Sequence, residues 1–113
     1  PIYSHNDDLI GQIQKQLEEN YLKIKTIEEV TKKFPASRRN LVRRFIKATG
    51  LPPIEYLQNV RIEKAKQLLE NSDQSVSEII SQTGYADSKS FRKVFLKLVG
   101  IPPLEYRNKF KMK

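Results

Sequence analysis

The sequence contains Phe45-Ile-Lys-Ala-Thr-Gly50-Leu-Pro-Pro-Ile-Glu-Tyr56 and, fifty positions later, Phe95-Leu-Lys-Leu-Val-Gly100-Ile-Pro-Pro-Leu-Glu-Tyr106. Phe, Lys, Gly, Pro-Pro, Glu and Tyr stand at the same offsets in both copies. Matches of this length normally mark a repeated supersecondary element. The pattern therefore indicates that one structural unit was built twice in this chain.

Helix signals precede and follow the first copy. Residues 7–21 carry apolar side chains at spacings of three and four, which predicts a first amphipathic helix. Residues 26–29, Thr-Ile-Glu-Glu, read as a capping box that opens a short second helix, and Pro35 is expected to end it. Ser37 is a natural N-cap for a third helix that closes at Gly50. A short helix, a tight turn and a longer helix together predict a helix-turn-helix unit.

The same succession of helices is predicted around the second copy. Two prolines at 52 and 53 suit the first turn of a fourth helix, which ends near Asn71. Residues 75–78 repeat the capping box for a fifth helix, and Asp87 or Ser88 caps a sixth. A seventh helix is predicted over residues 102–110. The apolar residues expected to face inward on the fourth and sixth helices are Ile54, Leu57, Val60, Ala65, Leu68, Leu69, Phe91, Val94, Phe95 and Leu98.

These elements predict an all-α chain of about seven helices. Two helix-turn-helix subdomains would be joined by a long connector helix. We expect the first lobe at residues 7–52, the connector helix at 53–71 and the second lobe at 72–113. Because the chain starts at Pro1 and not at Met, we expect effector or dimerisation functions to lie in a further domain outside it.

The composition favours a polyanionic partner and argues against several other classes. Among 113 residues, 21 Lys and Arg stand against 13 Asp and Glu, a formal net charge of +8. The absence of cysteine excludes disulfides, thiolate metal ligands and cysteine nucleophiles, and it fits a reducing cytoplasm. With one histidine, His5, and no phosphate-binding glycine loop, we expect no enzyme, no metal and no cofactor. No apolar run approaches the length of a membrane span, so we expect a cytoplasmic protein without a membrane partner.

The positive charge is concentrated on two equivalent helices. Residues 26–56 carry seven basic and three acidic side chains, and five of the seven basic ones fall on the third helix. The four basic side chains of residues 75–106 all fall on the sixth helix. In a helix-turn-helix unit this is the helix that enters the major groove, where Arg can pair with guanine and Val42 can meet a thymine methyl group.

The connector and the second half carry a longer pattern. It reads Tyr56-Leu-x-x-x-Arg61-Ile-x-x-Ala65-x-x-Leu68-Leu69, followed by Glu78-Ile-x-x-x-x-Gly84-Tyr85-x-Asp87-x-x-x-Phe91-x-x-x-Phe95-Leu-Lys-x-x-Gly100-Ile-Pro-Pro103-x-x-Tyr106-Arg107. In these residues the chain resembles the DNA-binding domain of the AraC/XylS family of bacterial transcription regulators. The resemblance implies that residues 1–113 form one AraC-type DNA-binding domain. It also implies two recognition helices in successive major grooves of promoter DNA, and RNA polymerase as a further partner.

The resemblance also implies roles for individual residues. Base readout is expected from Arg39, Val42, Arg43, Ser88, Lys89 and Lys93. Phosphate contacts are expected from Ser37, Arg38, Arg44, Lys47, Arg92 and Lys97. The stretch at 38–44 is most similar to members with an amidotransferase-like, DJ-1/PfpI-type domain in their amino-terminal half.

The function expected from these features is sequence-specific binding of double-stranded DNA by a transcription regulator. A non-specific architectural DNA-binding protein is the alternative, because phosphate contacts alone would also use this charge. A protein-interaction or membrane-surface module is a third possibility, supported by Ile46 and Leu96, which are apolar and expected to be partly exposed at matching positions. For these two side chains, however, packing against a neighbouring helix is the favoured interpretation.

Overall fold

The computed structural model describes residues 5–111 and forms seven helices in that range, with no strand. The expected all-α class is confirmed. The chain divides into two compact units, Pro1–Leu57 and Gln58–Lys113, and the division falls inside the fourth helix. The helices are α1 (Asp8–Glu19), α2 (Glu28–Thr31), α3 (Arg38–Thr49), α4 (Pro53–Asn71), α5 (Val76–Ser81), α6 (Ser88–Val99) and α7 (Pro103–Phe110).

The first unit is built on α1, which contacts both α2 and α3. The apolar stripe predicted on α1 is buried at Ile10, Ile13 and Leu17. The inner face of α3 is buried at Leu41 and Phe45. Burial of this second stripe fixes which face of α3 remains in contact with solvent.

Local caps set both ends of α3, as the sequence predicted. The Ser37 hydroxyl accepts the Asn40 backbone N–H at 3.1 Å, and Gly50 ends the helix with φ of 83°. That left-handed conformation favours glycine, because a Cβ would be strained there. The same arrangement recurs on α6, where the Asp87 carboxylate caps the start and Gly100 has φ of 92°.

The second helix differs from its prediction in two ways. It ends at Thr31, four residues before Pro35, because the N–H groups of Lys33 and Phe34 bond to carbonyls three residues back and tighten the chain into a turn. Its N-cap is Ile27, so Thr26 does not hold the expected position. The Glu29 carboxylate nevertheless accepts the backbone N–H groups of Lys25 and Thr26, each at 2.6 Å, which is half of a capping box.

The second unit packs around two phenylalanines of α6. The predicted capping box of α5 is complete, because Ser75 and Glu78 bond to each other's backbone N–H groups. In this unit α6 contacts both α5 and α7. The residues of the buried cluster are Ile62, Ala65, Leu69, Ile79, Ile80, Phe91, Phe95 and Tyr106.

The repeated Phe and Tyr form the same contact in each unit. Phe45 and Tyr56 meet edge to face with ring centroids 5.3 Å apart, and Phe95 and Tyr106 do so at 5.8 Å. Each tyrosine hydroxyl donates to a carboxylate, Tyr56 to Glu18 at 2.5 Å and Tyr106 to Glu70. Burial and the Glu70 carboxylate raise the pKa of Tyr106 to about 12. The twelve-residue pattern is therefore a packing frame.

Two residues expected to face inward are exposed. Ile54 is 46% exposed, because the buried positions at the start of α4 fall on Pro53, Tyr56 and Leu57, and Ile54 lies to one side of that stripe. Leu98 is 39% exposed. On α6 the buried residues follow a spacing of four, Phe91 and Phe95, which continues to Val99 and leaves Leu98 outside.

Candidate nucleic-acid interface

The outer face of α3 carries the residues predicted to read bases in the first unit. Arg39 and Arg43 are exposed and Val42 is partly buried. They lie opposite Leu41 and Phe45, which anchor the helix to the core. A helix so anchored presents its basic side to a partner without disturbing the core.

Two other arginines of α3 are held by contacts within the first unit. The Arg38 guanidinium lies 3.2 Å from the Glu28 carboxylate, but both side chains are more than half exposed, so this ion pair adds little stability. Arg44 is held more firmly. Its Nε and Nη2 donate to the two carboxylate oxygens of Asp7 at 3.0 and 2.8 Å.

The Arg44 pair connects the recognition helix to the first helix. Asp7 is the N-cap of α1, where it accepts the Ile10 N–H at 3.3 Å. The hydrogen bonds from Arg44 are the main cause that holds the pKa of Asp7 below its usual value, and the Asp7 carboxylate raises the pKa of Arg44. The phosphate contact expected of Arg44 stays a prediction, and in this structure its guanidinium is bound to Asp7.

The equivalent face of α6 is exposed at its predicted base-reading residues, Ser88, Lys89 and Lys93. Arg92, predicted to contact phosphate, donates from Nε to the Ser88 hydroxyl at 2.9 Å. The Asp87 carboxylate accepts the Ser90 N–H at 2.7 Å, and this bond is the first cause that lowers the pKa of Asp87. The opening turn of α6 thus carries a negative charge that the neutral cap of α3 lacks.

The remaining predicted phosphate residues are also accessible. Ser37 is exposed while it caps α3, and Lys47 and Lys97 are exposed at equivalent positions of the last turns of α3 and α6. A cation near a helix C-terminus is favourably placed with respect to the helix dipole. Each unit therefore presents basic side chains along the whole length of one helix.

Two apolar residues of this face stand at partly exposed positions, as the sequence predicted. Ile46 and Leu96 are 42% and 50% exposed. About half of each side chain therefore remains accessible to a partner.

The basic residues at the carboxyl end are partly used inside the second unit. The Arg107 guanidinium donates to the backbone carbonyls of Leu69 and Ser72, and Lys111 donates to Ser72 and pairs with Asp73. These bonds satisfy carbonyls left unpaired at the end of α4. The charge count of the sequence could not separate these structural cations from exposed ones.

Over residues 5–111, no helix is both long and apolar enough to cross a membrane. No group of His, Asp and Glu side chains in the described part of the chain could hold a metal ion.

Comparison with known proteins agrees with the fold. Residues 30–109 match the family described as helix-turn-helix domain. The chain therefore belongs to that family. It is of the AraC/XylS type, which confirms the resemblance seen in the sequence.

The similar curated proteins are transcription regulators. The chain is 39% identical over 88 residues to the HTH-type transcriptional activator RhaS of Klebsiella pneumoniae, covering 78% of this chain and 32% of that protein. The figures are the same for RhaS of Salmonella schwarzengrund. The chain thus spans about a third of the length of these relatives.

Solved structures share the fold. The carboxyl-terminal domain of AraT, a response regulator from Geobacillus stearothermophilus, matches 97% of this chain and 92% of its own with a TM-score of 0.90 at 24% identity, which shows the fold alone. The DNA-binding domain of the global transcriptional factor AdpA, solved in complex with a target DNA, matches 89% of this chain and 91% of its own. For that structure the TM-score is 0.83 and the identity 29%.

Proposed function

We propose that this chain is the DNA-reading part of a transcription regulator, which binds double-stranded promoter DNA sequence-specifically through α3 and α6. One observation carries the proposal. In both units the same helix has a buried apolar face and an exposed basic face, and it follows a short helix and a turn. This is the arrangement by which a helix-turn-helix unit places its second helix in the major groove.

The exposed side chains fit base readout in both units. The planar guanidinium groups of Arg39 and Arg43 can donate two hydrogen bonds to guanine O6 and N7. Lys89 and Lys93 can donate to the same acceptors, and Ser88 can donate or accept. The flanking residues that we assign to phosphates are Ser37, Arg38, Arg44, Lys47, Arg92 and Lys97.

The first unit is expected to contribute more of the affinity. Its reading face carries Arg39 and Arg43, whose guanidinium groups bind guanine bidentately, whereas the second carries two lysines, which act more nearly as point charges. The Asp87 carboxylate at the start of α6 also repels the phosphate backbone. Because the two reading faces differ, each takes its own half-site, and the DNA site of one chain is asymmetric.

The relatives support the wider assignment. RhaS is a transcriptional activator, and the AdpA domain was solved on target DNA. We extend this to the present chain with RNA polymerase as a second partner and an effector or dimerisation domain in the rest of the protein. We also propose that the protein acts in the cytoplasm as a binding protein, without enzymatic activity or cofactor.

Selection of bound duplexes from a random DNA pool tests the proposal. We expect one asymmetric sequence to emerge and to compete far better than random DNA at a fixed salt concentration. An architectural binder would instead be displaced equally by the selected duplex and by random DNA, because phosphate contacts carry no sequence information. Equal competition would therefore reject sequence-specific readout in favour of that alternative.

A further inference from the structure

The exposed face of α3 continues beyond the residues assigned to base readout. Ile46 follows Val42 by four positions and Arg43 by three, so the four residues Arg39, Val42, Arg43 and Ile46 share one face of the helix. A recognition helix in the homeodomain reads the major groove from positions with this same spacing. This exposed face of α3 therefore includes an apolar residue, Ile46, that is assigned neither to bases nor to phosphates.

The equivalent position of the second unit repeats the feature. Leu96 stands at the same place relative to Lys89, Arg92 and Lys93. It is a large aliphatic residue and is half exposed, as Ile46 is. Isolated exposed apolar residues are ordinary on protein surfaces, but these two lie on the basic helices assigned to DNA, in the same register in both copies.

We propose that Ile46 and Leu96 are additional base-reading residues, which contact the 5-methyl groups of thymines in the major groove. The inference rests on the proposed function and adds two specificity determinants to it. An apolar side chain in the major groove can distinguish thymine by its methyl group, which cytosine lacks. Each reading face would then combine cationic readers with an apolar one.

The surroundings of these residues favour DNA over a protein partner. Exposed cations stand three positions before and one position after each of these residues, Arg43 and Lys47 for Ile46 on α3 and Lys93 and Lys97 for Leu96 on α6. A cationic rim fits the phosphates that border the major groove.

A second repeated pair of exposed apolar residues provides the contrast. Ile54 and Leu104 are 46% and 57% exposed, but they lie in the first turns of α4 and α7 and so are not part of the recognition helices. Each is followed by an acidic residue, Glu55 or Glu105. Ile54 therefore serves as a control of the same residue type and nearly the same exposure as Ile46.

The test uses the duplex that the wild-type chain selects from a random pool. Each thymine is replaced in turn by uracil, which removes only the 5-methyl group. We expect one replacement in the first half-site to weaken wild-type binding about three- to tenfold. Ile46→Ala should weaken binding to the thymine duplex by a similar factor and should no longer distinguish thymine from uracil at that position. Ile54→Ala should bind and discriminate like the wild type.

The outcomes separate this inference from the proposed function. If Ile46→Ala still discriminates thymine from uracil at every position, another residue such as Val42 reads the methyl group and the role of Ile46 is overturned. If no uracil replacement weakens binding by the wild type, the role of Ile46 is overturned as well. In that case, selective binding to the chosen duplex over random DNA would still support the proposed function. Leu96→Ala gives the same test in the second half-site.

Discussion

Individual cations on the two recognition helices differ in what they recognise. Arg43 lies on the reading face of α3, whereas Lys97 lies in the last turn of α6. We expect Arg43→Ala to cost about 1–3 kcal/mol of binding and to relax base preference at one position. Lys97→Ala should weaken binding to all duplexes alike and lower the salt slope by about 1. Titrations with the selected duplex and with its single-base variants, at several salt concentrations, measure both effects, and equal losses on every duplex would exclude base readout by Arg43.

At the Tyr85 position, we expect a single hydroxyl to reduce stability. The hydroxyl is buried and has no hydrogen-bond partner among residues 5–111, while its ring packs edge to face on Phe91 at 5.8 Å. Burial raises the pKa of Tyr85. Leaving a buried hydroxyl unpaired costs about 1–3 kcal/mol. Tyr85→Phe keeps the ring contact and should therefore raise the free energy of unfolding, by up to about 1 kcal/mol.

Tyr106 provides the matched control for this substitution. Its hydroxyl donates to the Glu70 carboxylate, so Tyr106→Phe removes a hydrogen bond that exists. We expect that change to lower stability by about 1 kcal/mol. Urea denaturation of the two variants should show shifts of opposite sign, and a loss of stability in both would mean that the Tyr85 hydroxyl has a partner in solution.

The Asp7 carboxylate makes part of the stability dependent on pH. Its pKa lies below the usual 3.8, chiefly through the bonds from Arg44. A carboxyl group with a lowered folded-state pKa stabilises the fold above its unfolded pKa and loses that contribution as the pH falls through the folded value. Asp7→Asn keeps a good N-cap but removes the charge. The variant should therefore be less stable than the wild type at pH 7. The thermal melts should begin to converge as the pH falls below about 3.8 and should meet only below the folded-state pKa of Asp7.

At the level of whole elements, the two short helices differ in how they begin. Ser75 at the start of α5 forms both bonds of a capping box with Glu78. Near α2 only half of a capping box is present, because the Glu29 carboxylate accepts two backbone N–H groups and no side chain caps the helix. We expect Ser75→Ala to cost about 1 kcal/mol. Thr26→Ala should cost much less, because the Glu29 bonds to the backbone survive the change. Comparison of the two unfolding midpoints checks this, and equal costs would mean that the Thr26 side chain also caps α2.

The elements that could be predicted from sequence are those whose ends depend on neighbouring residues. The limits of α3 and α6 follow from Ser37, Asp87 and the two glycines, because a cap acts within one turn. Environments that depend on distant chain segments were not predictable. Arg44 meets Asp7 across 37 positions of sequence, and Arg107 meets the carbonyl of Leu69 across 38. Periodicity predicted the buried face of each helix but not the width of that face, so Ile54 and Leu98 were misplaced.

For the whole molecule, comparison of the two copies distinguishes the residues that form the packing frame from those expected to contact DNA bases. The Phe and Tyr of each copy form the same edge-to-face contact, and the Gly of each copy ends the recognition helix in the same conformation. The side chains at the three equivalent positions differ, with Arg39, Val42 and Arg43 in one unit and, in the other, Lys89, Lys93 and the phosphate-assigned Arg92. If the two frames are equivalent, a unit that receives the reading-face side chains of the other unit should also acquire its DNA sequence preference.

A transfer of reading residues between the units tests this separation. The triple variant Lys89→Arg, Arg92→Val and Lys93→Arg gives α6 the central reading residues of α3, all at exposed positions, so its stability should stay within about 0.5 kcal/mol of the wild type. We expect selection from a random pool to return two half-sites that resemble each other, both close to the first half-site of the wild type. The converse variant, Arg39→Lys, Val42→Arg and Arg43→Lys, should make both resemble the second. If the second half-site keeps its wild-type sequence, its specificity lies outside these three positions, and Ser88 or Leu96 would be the residue to exchange next.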